Sequence, residues 1–139
     1  ATYALTVICQ TMSEQQTEPD FSIVTDYEKV VENGEVKKYQ SRHSRSNKKP
    51  KNSKYSQYRD VIVEYLGRRY VFYYSTAIVV DYADGRLRLA NGGWETKSTK
   101  ERINRHLPKG YKLTSEDSEW GIDTPDGRIE FKSGMVIDP

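Results

Sequence analysis

Residues 60–90 have the sequence DVIVEYLGRRYVFYYSTAIVVDYADGRLRLA, in which β-branched and aromatic runs alternate with short turn signals. Val, Ile, Tyr and Phe favour the pleated, half-buried backbone of a sheet. Leu66-Gly67 and Asp84-Gly85 separate runs of this kind, and Asp-Gly is typical of tight hairpins. The sequence therefore predicts consecutive antiparallel strands, a meander. The four predicted strands are residues 60–66, 69–74, 77–82 and 86–90.

The N-terminal part predicts another strand and a helix. The first ten residues alternate loosely between apolar and polar and are typical of a strand. Thr17 is the predicted N-cap of the helix, Pro19 lies in its first turn, and Gly34 ends it. Asn33-Gly34 is equally typical of a hairpin, which leaves that alternative open. The apolar stripe of the helix is Phe21, Val24, Tyr27 and Val31.

After the meander, the Gly92-Gly93 pair is predicted to break the sheet. The sequence Ser98-Thr99-Lys100-Glu101 is a capping box that begins a short helix, and Pro108 stops it. A last strand pair follows around the turn at residues 124–127. Its strands are residues 111–113 and 120–122 on one side of that turn and residues 128–131 on the other.

Together these elements predict an α+β fold with a mainly antiparallel sheet and two short helices. With 139 residues, of which 35% are hydrophobic, the chain is expected to form a single domain over residues 1–139. No apolar run approaches the roughly 20 residues of a membrane span, so a cytosolic protein is expected. The lone Cys9 is expected as core filler.

The sequence contains no motif for catalysis or for a bound metal. One Cys with His43 and His106 supplies too few ligands for a tetrahedral zinc site. A phosphate loop, a nucleophile elbow and an HExxH motif are all missing. We therefore expect a non-enzymatic protein without a cofactor. The acidic run is expected to be a solvated turn rather than a cation site; it consists of Glu116, Asp117, Glu119 and Asp123.

Residues 36–59, VKKYQSRHSRSNKKPKNSKYSQYR, hold nine Lys or Arg and no Asp or Glu. A local field of this kind attracts phosphates, and interleaved rings are what single-stranded nucleic acid needs for stacking. Because residues 36–56 have almost no aliphatic side chain to bury, they are predicted to form a mobile loop or arm. The predicted nucleic-acid contacts are Lys37, Lys38, Arg42, Arg45, Lys48, Lys49, Lys51, Lys54 and Arg59, with Tyr55 or Tyr58 stacking on bases.

Each basic feature also has a simpler interpretation. Residues 36–59 could be a solvated loop that only keeps the protein in solution, and membrane attraction is disfavoured because no amphipathic anchor accompanies the charges. The basic surface could also include Lys100, Arg102 and Arg105, or these residues could simply form the solvent-exposed face of a short helix.

Trp94 and Trp120 are expected as core anchors, whereas an exposed Trp would be a partner contact.

Two stretches carry a family resemblance. Residues 87–107, LRLANGGWETKSTKERINRHL, and residues 120–138, WGIDTPDGRIEFKSGMVID, resemble a family of small uncharacterised proteins of tailed bacteriophages. The resemblance runs from the meander to the C-terminus. It implies a phage protein that acts in the host cytoplasm or belongs to the virion, and it carries over no functional residue.

The leading hypothesis is a phage accessory protein that binds nucleic acid through its basic segment. Binding is expected to be weakly sequence-specific, because phosphate contacts position a chain without reading bases. One alternative is a protein-binding inhibitor of a host enzyme or defence complex, which uses the sheet or the corner at Trp94. Another is a minor virion or assembly component whose basic segment orders against neighbouring subunits. The sequence does not distinguish DNA from RNA as the ligand, and it does not predict the oligomeric state.

Overall fold

The computed structural model describes residues 19–41 and 58–139, which form two helices and nine strands. The helices are α1 (Tyr27–Asn33) and α2 (Lys97–Asn104). The strands are β1 (Glu35–Ser41), β2 (Tyr58–Tyr65), β3 (Arg68–Tyr73), β4 (Thr76–Asp81), β5 (Leu87–Leu89), β6 (Lys112–Glu116), β7 (Glu119–Thr124), β8 (Gly127–Glu130) and β9 (Met135–Ile137). Several predictions lie outside the described residues: the first strand with Cys9, the cap at Thr17, and the contacts Arg42, Arg45, Lys48, Lys49, Lys51, Lys54 and Tyr55.

The strands form two antiparallel sheets, as the α+β prediction required. The larger sheet has the order β1-β2-β3-β4-β5-β9, and the smaller sheet has the order β6-β7-β8. The predicted meander is confirmed, because the four predicted strands correspond to β2, β3, β4 and β5 and each pairs with the next. The turn predicted at residues 124–127 is also confirmed, since it joins β7 to β8.

The large sheet is buried on both faces. Because successive side chains in a strand point to opposite faces, Tyr70 and Phe72 pack in one cluster and Val71 in the other. The first cluster includes Val30 of α1. The second includes Ile103 of α2 together with buried residues of the small sheet. The large sheet is therefore a middle layer, with α1 on one side and α2 with the small sheet on the other.

The first helix is shorter than predicted. It begins after Asp26, whose carboxylate accepts a hydrogen bond from the Lys29 N–H, and Gly34 ends it as predicted. Pro19 instead forms a β-bridge with Met135. Phe21 is 77% exposed, so its predicted place on the buried stripe is wrong. The sequence pattern extended the helix too far because Asp26 is itself a strong N-cap.

The prediction of a mobile loop from residue 36 is wrong for residues 36–41. They belong to β1, which pairs antiparallel with β2, Lys38 facing Ile62 and Tyr39 facing Val61. An edge strand needs only one hydrogen-bonded neighbour and accepts charged side chains, so hydrophobic patterning does not reveal it. Gly34 allows the close junction between α1 and β1, since an added Cβ would lie 2.5 Å from Val63 Cγ1.

The C-terminal third differs from its prediction in the bounds of the helix and in the number of strands. The helix starts earlier than the capping box indicated, because Thr96 rather than Ser98 is its N-cap and accepts a hydrogen bond from the Thr99 N–H. It ends at Asn104 before Pro108. The predicted last strand pair is a three-stranded sheet, and β9 is an additional strand that pairs with β5.

Candidate functional site

A groove between α2 and the strands β1 and β2 gathers basic side chains from three parts of the chain. Its volume is about 380 Å³, and Ile62 and Val71 of the large sheet contribute to its lining. The cationic residues that line it are Lys38 of β1, Arg59 of β2, Arg102 of α2 and Arg105 at the C-terminal end of α2. We call this surface the basic groove. The two basic clusters predicted separately from the sequence thus meet at one site.

Asp60 is the one acidic residue among the side chains that line the basic groove. Its carboxylate accepts hydrogen bonds from Arg59 Nε at 2.7 Å and from Arg102 Nε at 2.5 Å. Burial by itself would raise the pKa of Asp60, but the hydrogen bonds and charges of Arg102 and Arg59 outweigh it and lower that pKa. The carboxylate stays ionised at neutral pH and fixes two guanidinium groups beside each other.

The other two cations of the groove are uncompensated. Lys38 and Arg105 are exposed, and neither forms an ion pair within residues 19–41 and 58–139. With the two arginines that share Asp60, the groove therefore carries four positive charges against one negative charge. Such an excess favours an anionic ligand.

His106 also lines the basic groove and is half-buried. Burial lowers the pKa of its imidazole, and the positive charges of Arg105 and Arg69 lower it further. The ring is therefore neutral at pH 7, able to donate one hydrogen bond and accept another.

Two of the predicted contact residues, and one residue of the predicted secondary basic surface, lie elsewhere or are unavailable. Lys37 forms ion pairs with Glu35 and Glu64, at 3.0 and 3.7 Å, and does not line the groove. Lys100 donates to Ser115 Oγ at 3.1 Å, on the side of the small sheet. Tyr58 is only 6% exposed and belongs to the core, so its predicted stacking role is wrong.

Tyr39 is an exposed aromatic residue at the border of the groove. It faces Val61 in the strand pair and packs its ring against Tyr58 with the ring centroids 5.0 Å apart, so the ring lies on the α1 side of the sheet. The sequence predicts Tyr55 or Tyr58 as the stacking residue, because both are interleaved with the cations. The pairing of β1 with β2 is what exposes Tyr39 and buries Tyr58.

A second cavity, the aromatic pocket, adjoins the groove. It has a volume of about 340 Å³ and is lined by Tyr73, Tyr74, Thr76, Ile78, Asn91, Trp94, Thr96 and Thr99. The Arg102 guanidinium lies over the Tyr73 ring, 3.9 Å from its centroid. Since Arg102 lines the basic groove and Tyr73 lines the aromatic pocket, the two cavities are neighbours.

The expectation of a buried Trp94 is wrong, because this side chain is 67% exposed. Gly92 and Gly93 both have positive φ, +60° and +87°, and turn the chain outward just before it. The Asn91 side chain holds this turn by accepting a hydrogen bond from the Gly93 N–H. Trp120, by contrast, is buried against Phe131 as predicted.

Metal and membrane features are missing from the described part of the chain. No group of three or more His, Cys, Asp or Glu side chains there could hold a metal ion. Nor is any helix within residues 19–41 and 58–139 long and apolar enough to cross a membrane. The acidic run was predicted as a solvated turn, but only Asp117 lies in the turn between β6 and β7, because Glu116 ends β6 and both Glu119 and Asp123 belong to β7. Arg128 pairs with Glu116 and Asp123.

The fold and the groove define a small antiparallel α+β protein with a cationic surface. The chain belongs to a phage protein family, because residues 37–138 match the model of the family described as Kyanoviridae Gp96 protein. The resemblance to tailed-bacteriophage proteins is thereby confirmed. The match includes all four groove cations, whereas α1 lies outside it. No curated protein and no solved structure shows a significant match.

Proposed function

We propose that this phage protein is a non-enzymatic accessory protein that binds nucleic acid, with phosphates held in the basic groove. The observation that carries the proposal is that Lys38, Arg59, Arg102 and Arg105, from separate segments, line one groove that contains a single carboxylate. A cleft with an excess of one charge sign focuses the field and concentrates oppositely charged ligands. Nucleic acid presents such charges at regular spacing.

Aromatic rings beside the cations support nucleic acid over a simple anion. Tyr39 is exposed on the strand that carries Lys38, and the aromatic pocket next to Arg102 exposes Tyr74 and Trp94. Cations that follow a backbone and rings on which bases stack are the usual elements of single-strand binding. Phosphate contacts position a strand without reading its bases, so weak sequence specificity is expected.

The predicted cations of residues 42–57 extend this proposal. Ser41 and Tyr58, the described residues on either side of that segment, belong to the two strands that border the groove. We therefore include the cations between these two strands in the proposal as further phosphate contacts. Those cations are Arg42, Arg45, Lys48, Lys49, Lys51 and Lys54.

The test is fluorescence anisotropy with labelled single-stranded and double-stranded oligonucleotides across a salt series, using nuclease-treated protein. The informative variant is Lys38→Gln/Arg105→Gln, because neither residue supports the fold through an ion pair. Each phosphate contact on a single strand contributes about 0.7 to the slope of log affinity against log salt, so the slope should become shallower by about 1.4. The cations that are present in both proteins contribute equally to both slopes, so they cancel in the difference between wild type and variant.

A matched control removes two positive charges outside the groove. Lys109 and Lys112 are exposed and do not line it, so Lys109→Gln/Lys112→Gln should leave the salt slope within experimental error. If the control and the groove variant behave alike, or if the wild-type protein shows no salt-sensitive binding, the proposal is wrong.

A second candidate function is a protein-binding inhibitor of a host enzyme or defence complex. The exposure of Trp94 favours it, because Trp is enriched at the energetic centres of protein interfaces. Its test is stable co-purification with a single host protein after nuclease treatment, and loss of that protein in Trp94→Ala.

A further inference from the structure

We infer that the aromatic pocket is a subsite for a single unpaired nucleobase, so that the protein prefers single strands to duplexes. The inference rests on the proposed function, because the base would belong to a strand whose phosphates lie in the basic groove. It assigns to Trp94, Tyr74 and Asn91 a role that the charges of the groove do not require.

The rings of the pocket provide the surface for stacking. Tyr73 and Tyr74 lie with ring centroids 4.7 Å apart, and Trp94 projects from the loop that follows the double glycine. Tyr74 and Trp94 are both exposed despite their large apolar area. Bases stack on such rings whatever their identity, because every base has a π-face.

Asn91 supplies a polar group inside the pocket. Its side chain is 5% exposed, and its Oδ1 accepts the hydrogen bond from Gly93 at 2.9 Å. Its amide nitrogen has no acceptor among residues 19–41 and 58–139. The nitrogen keeps some accessible surface where it lines the pocket, so it can donate to the oxygen and nitrogen acceptors on the edge of a base.

Arg102 joins the pocket to the groove. Its guanidinium contacts both the ring of Tyr73, which lines the pocket, and the carboxylate of Asp60, which lines the groove. A base in the pocket would therefore remain connected to phosphates that face Lys38 and Arg105. This charge complementarity favours a nucleotide strand over an apolar protein segment, which would leave the adjacent cations unused.

Single-strand preference follows from where bases lie in each form of nucleic acid. In a duplex the bases are paired and stacked inside, and bringing one into the pocket requires unpairing and unstacking it. A single strand can present a base directly. The pocket should therefore strengthen single-strand binding and leave duplex binding to the groove alone.

The experiment uses the full chain with a labelled oligothymidylate of twelve nucleotides and with the same strand in a duplex. Trp94→Ala should weaken single-strand binding about tenfold, the lower part of the range for one stacked base, and change duplex binding less than twofold. The salt slope should not change, since no charge is removed. The matched control is Leu66→Ala, which removes another exposed apolar side chain, at the hairpin between β2 and β3.

Asn91→Asp and tryptophan fluorescence provide independent readouts. Asn91→Asp keeps the acceptor for the Gly93 N–H but loses the amide donor, so the ratio of single-strand to duplex affinity should fall. Fluorescence of the exposed Trp94 should be quenched by oligothymidylate, whereas buried Trp120 should contribute an unquenched background.

The outcomes separate the two proposals. If oligonucleotides bind with the expected salt slope but wild-type and Trp94→Ala proteins show the same single-strand affinity, only the base subsite is wrong. If no oligonucleotide binds the wild-type protein, both proposals are wrong. If Trp94→Ala keeps oligonucleotide binding and loses a co-purifying protein, Trp94 is a protein contact and the subsite is overturned.

Discussion

Replacing Asp60 by Asn should make the protein less stable and a tighter binder of nucleic acid. The substitution keeps the shape of the side chain and removes the single negative charge among the residues that line the basic groove. Arg59 and Arg102 then lose their shared carboxylate, whose depressed pKa shows that the ionised form is the one stabilised. The same substitution is thus expected to lower the free energy of unfolding and to raise the affinity for nucleic acid. A general loss of folded protein would lower both.

The stability cost follows from the two charge-assisted hydrogen bonds. A buried bond to a charged group contributes about 1.5–3 kcal/mol, but the Asp60 side chain is 32% exposed and the amide oxygen of Asn still accepts one bond. We therefore expect the free energy of unfolding to fall by about 2 kcal/mol in total. Urea denaturation followed by circular dichroism measures it.

The affinity gain follows from Coulomb's law. A carboxylate roughly 6 Å from a bound phosphate repels it by about 0.7 kcal/mol in water, which corresponds to about a threefold change in affinity. Anisotropy titrations at low salt should therefore show tighter binding by Asp60→Asn, and the gain should shrink as salt screens the charge.

Asp84→Asn is the matched control, because it removes the same charge from a carboxylate that pairs with Arg86 at 2.9 Å, outside the groove. It should change affinity much less than Asp60→Asn. If the two variants bind equally well, or if Asp60→Asn loses affinity along with stability, the groove does not bind phosphate as proposed.

Two further predictions concern the helix that carries the groove arginines. Ile103 is fully buried and anchors α2 on the large sheet, so Ile103→Ala should lower the free energy of unfolding by about 3 kcal/mol in urea titrations; a loss below about 1 kcal/mol would contradict this anchoring role. The pKa of His106 lies below its ordinary value of 6.5, so its contribution to stability is present above that pH and is lost as the pH falls toward the folded-state pKa. Between pH 7.5 and 5.5, the free energy of unfolding should therefore fall more for the wild-type protein than for His106→Gln. Equal losses would show that His106 does not have a lowered pKa in the folded protein.

Local sequence patterns were enough to predict much of the fold. The meander from β2 to β5 follows from alternating β-branched and aromatic runs, and the turn at residues 124–127 follows from Pro-Asp-Gly. The helix α2 follows from its capping residues, although Thr96 rather than Ser98 begins it. Each of these signals depends on residues close together in the chain.

The elements that were missed depend on partners far away in the chain. β9 has only three residues and forms by pairing with β5, and β1 carries lysines that no hydrophobic pattern marks as a strand. The exposure of Trp94 was also missed, because it results from two successive glycines with positive φ, which a residue-by-residue estimate of burial does not capture.

The candidate site shows the same division. Charge is a property of composition, and therefore the excess of cations in residues 36–59 and the basic character of α2 could be recognised in the sequence. The sequence could not show that these two basic segments meet in one groove. Arg102 and Asp60 are 42 positions apart and meet only when α2 packs on the large sheet through Ile103. Tertiary packing decided which cations face one groove, which of them Asp60 neutralises, and which rings lie beside them, since all three depend on distances between side chains from different elements.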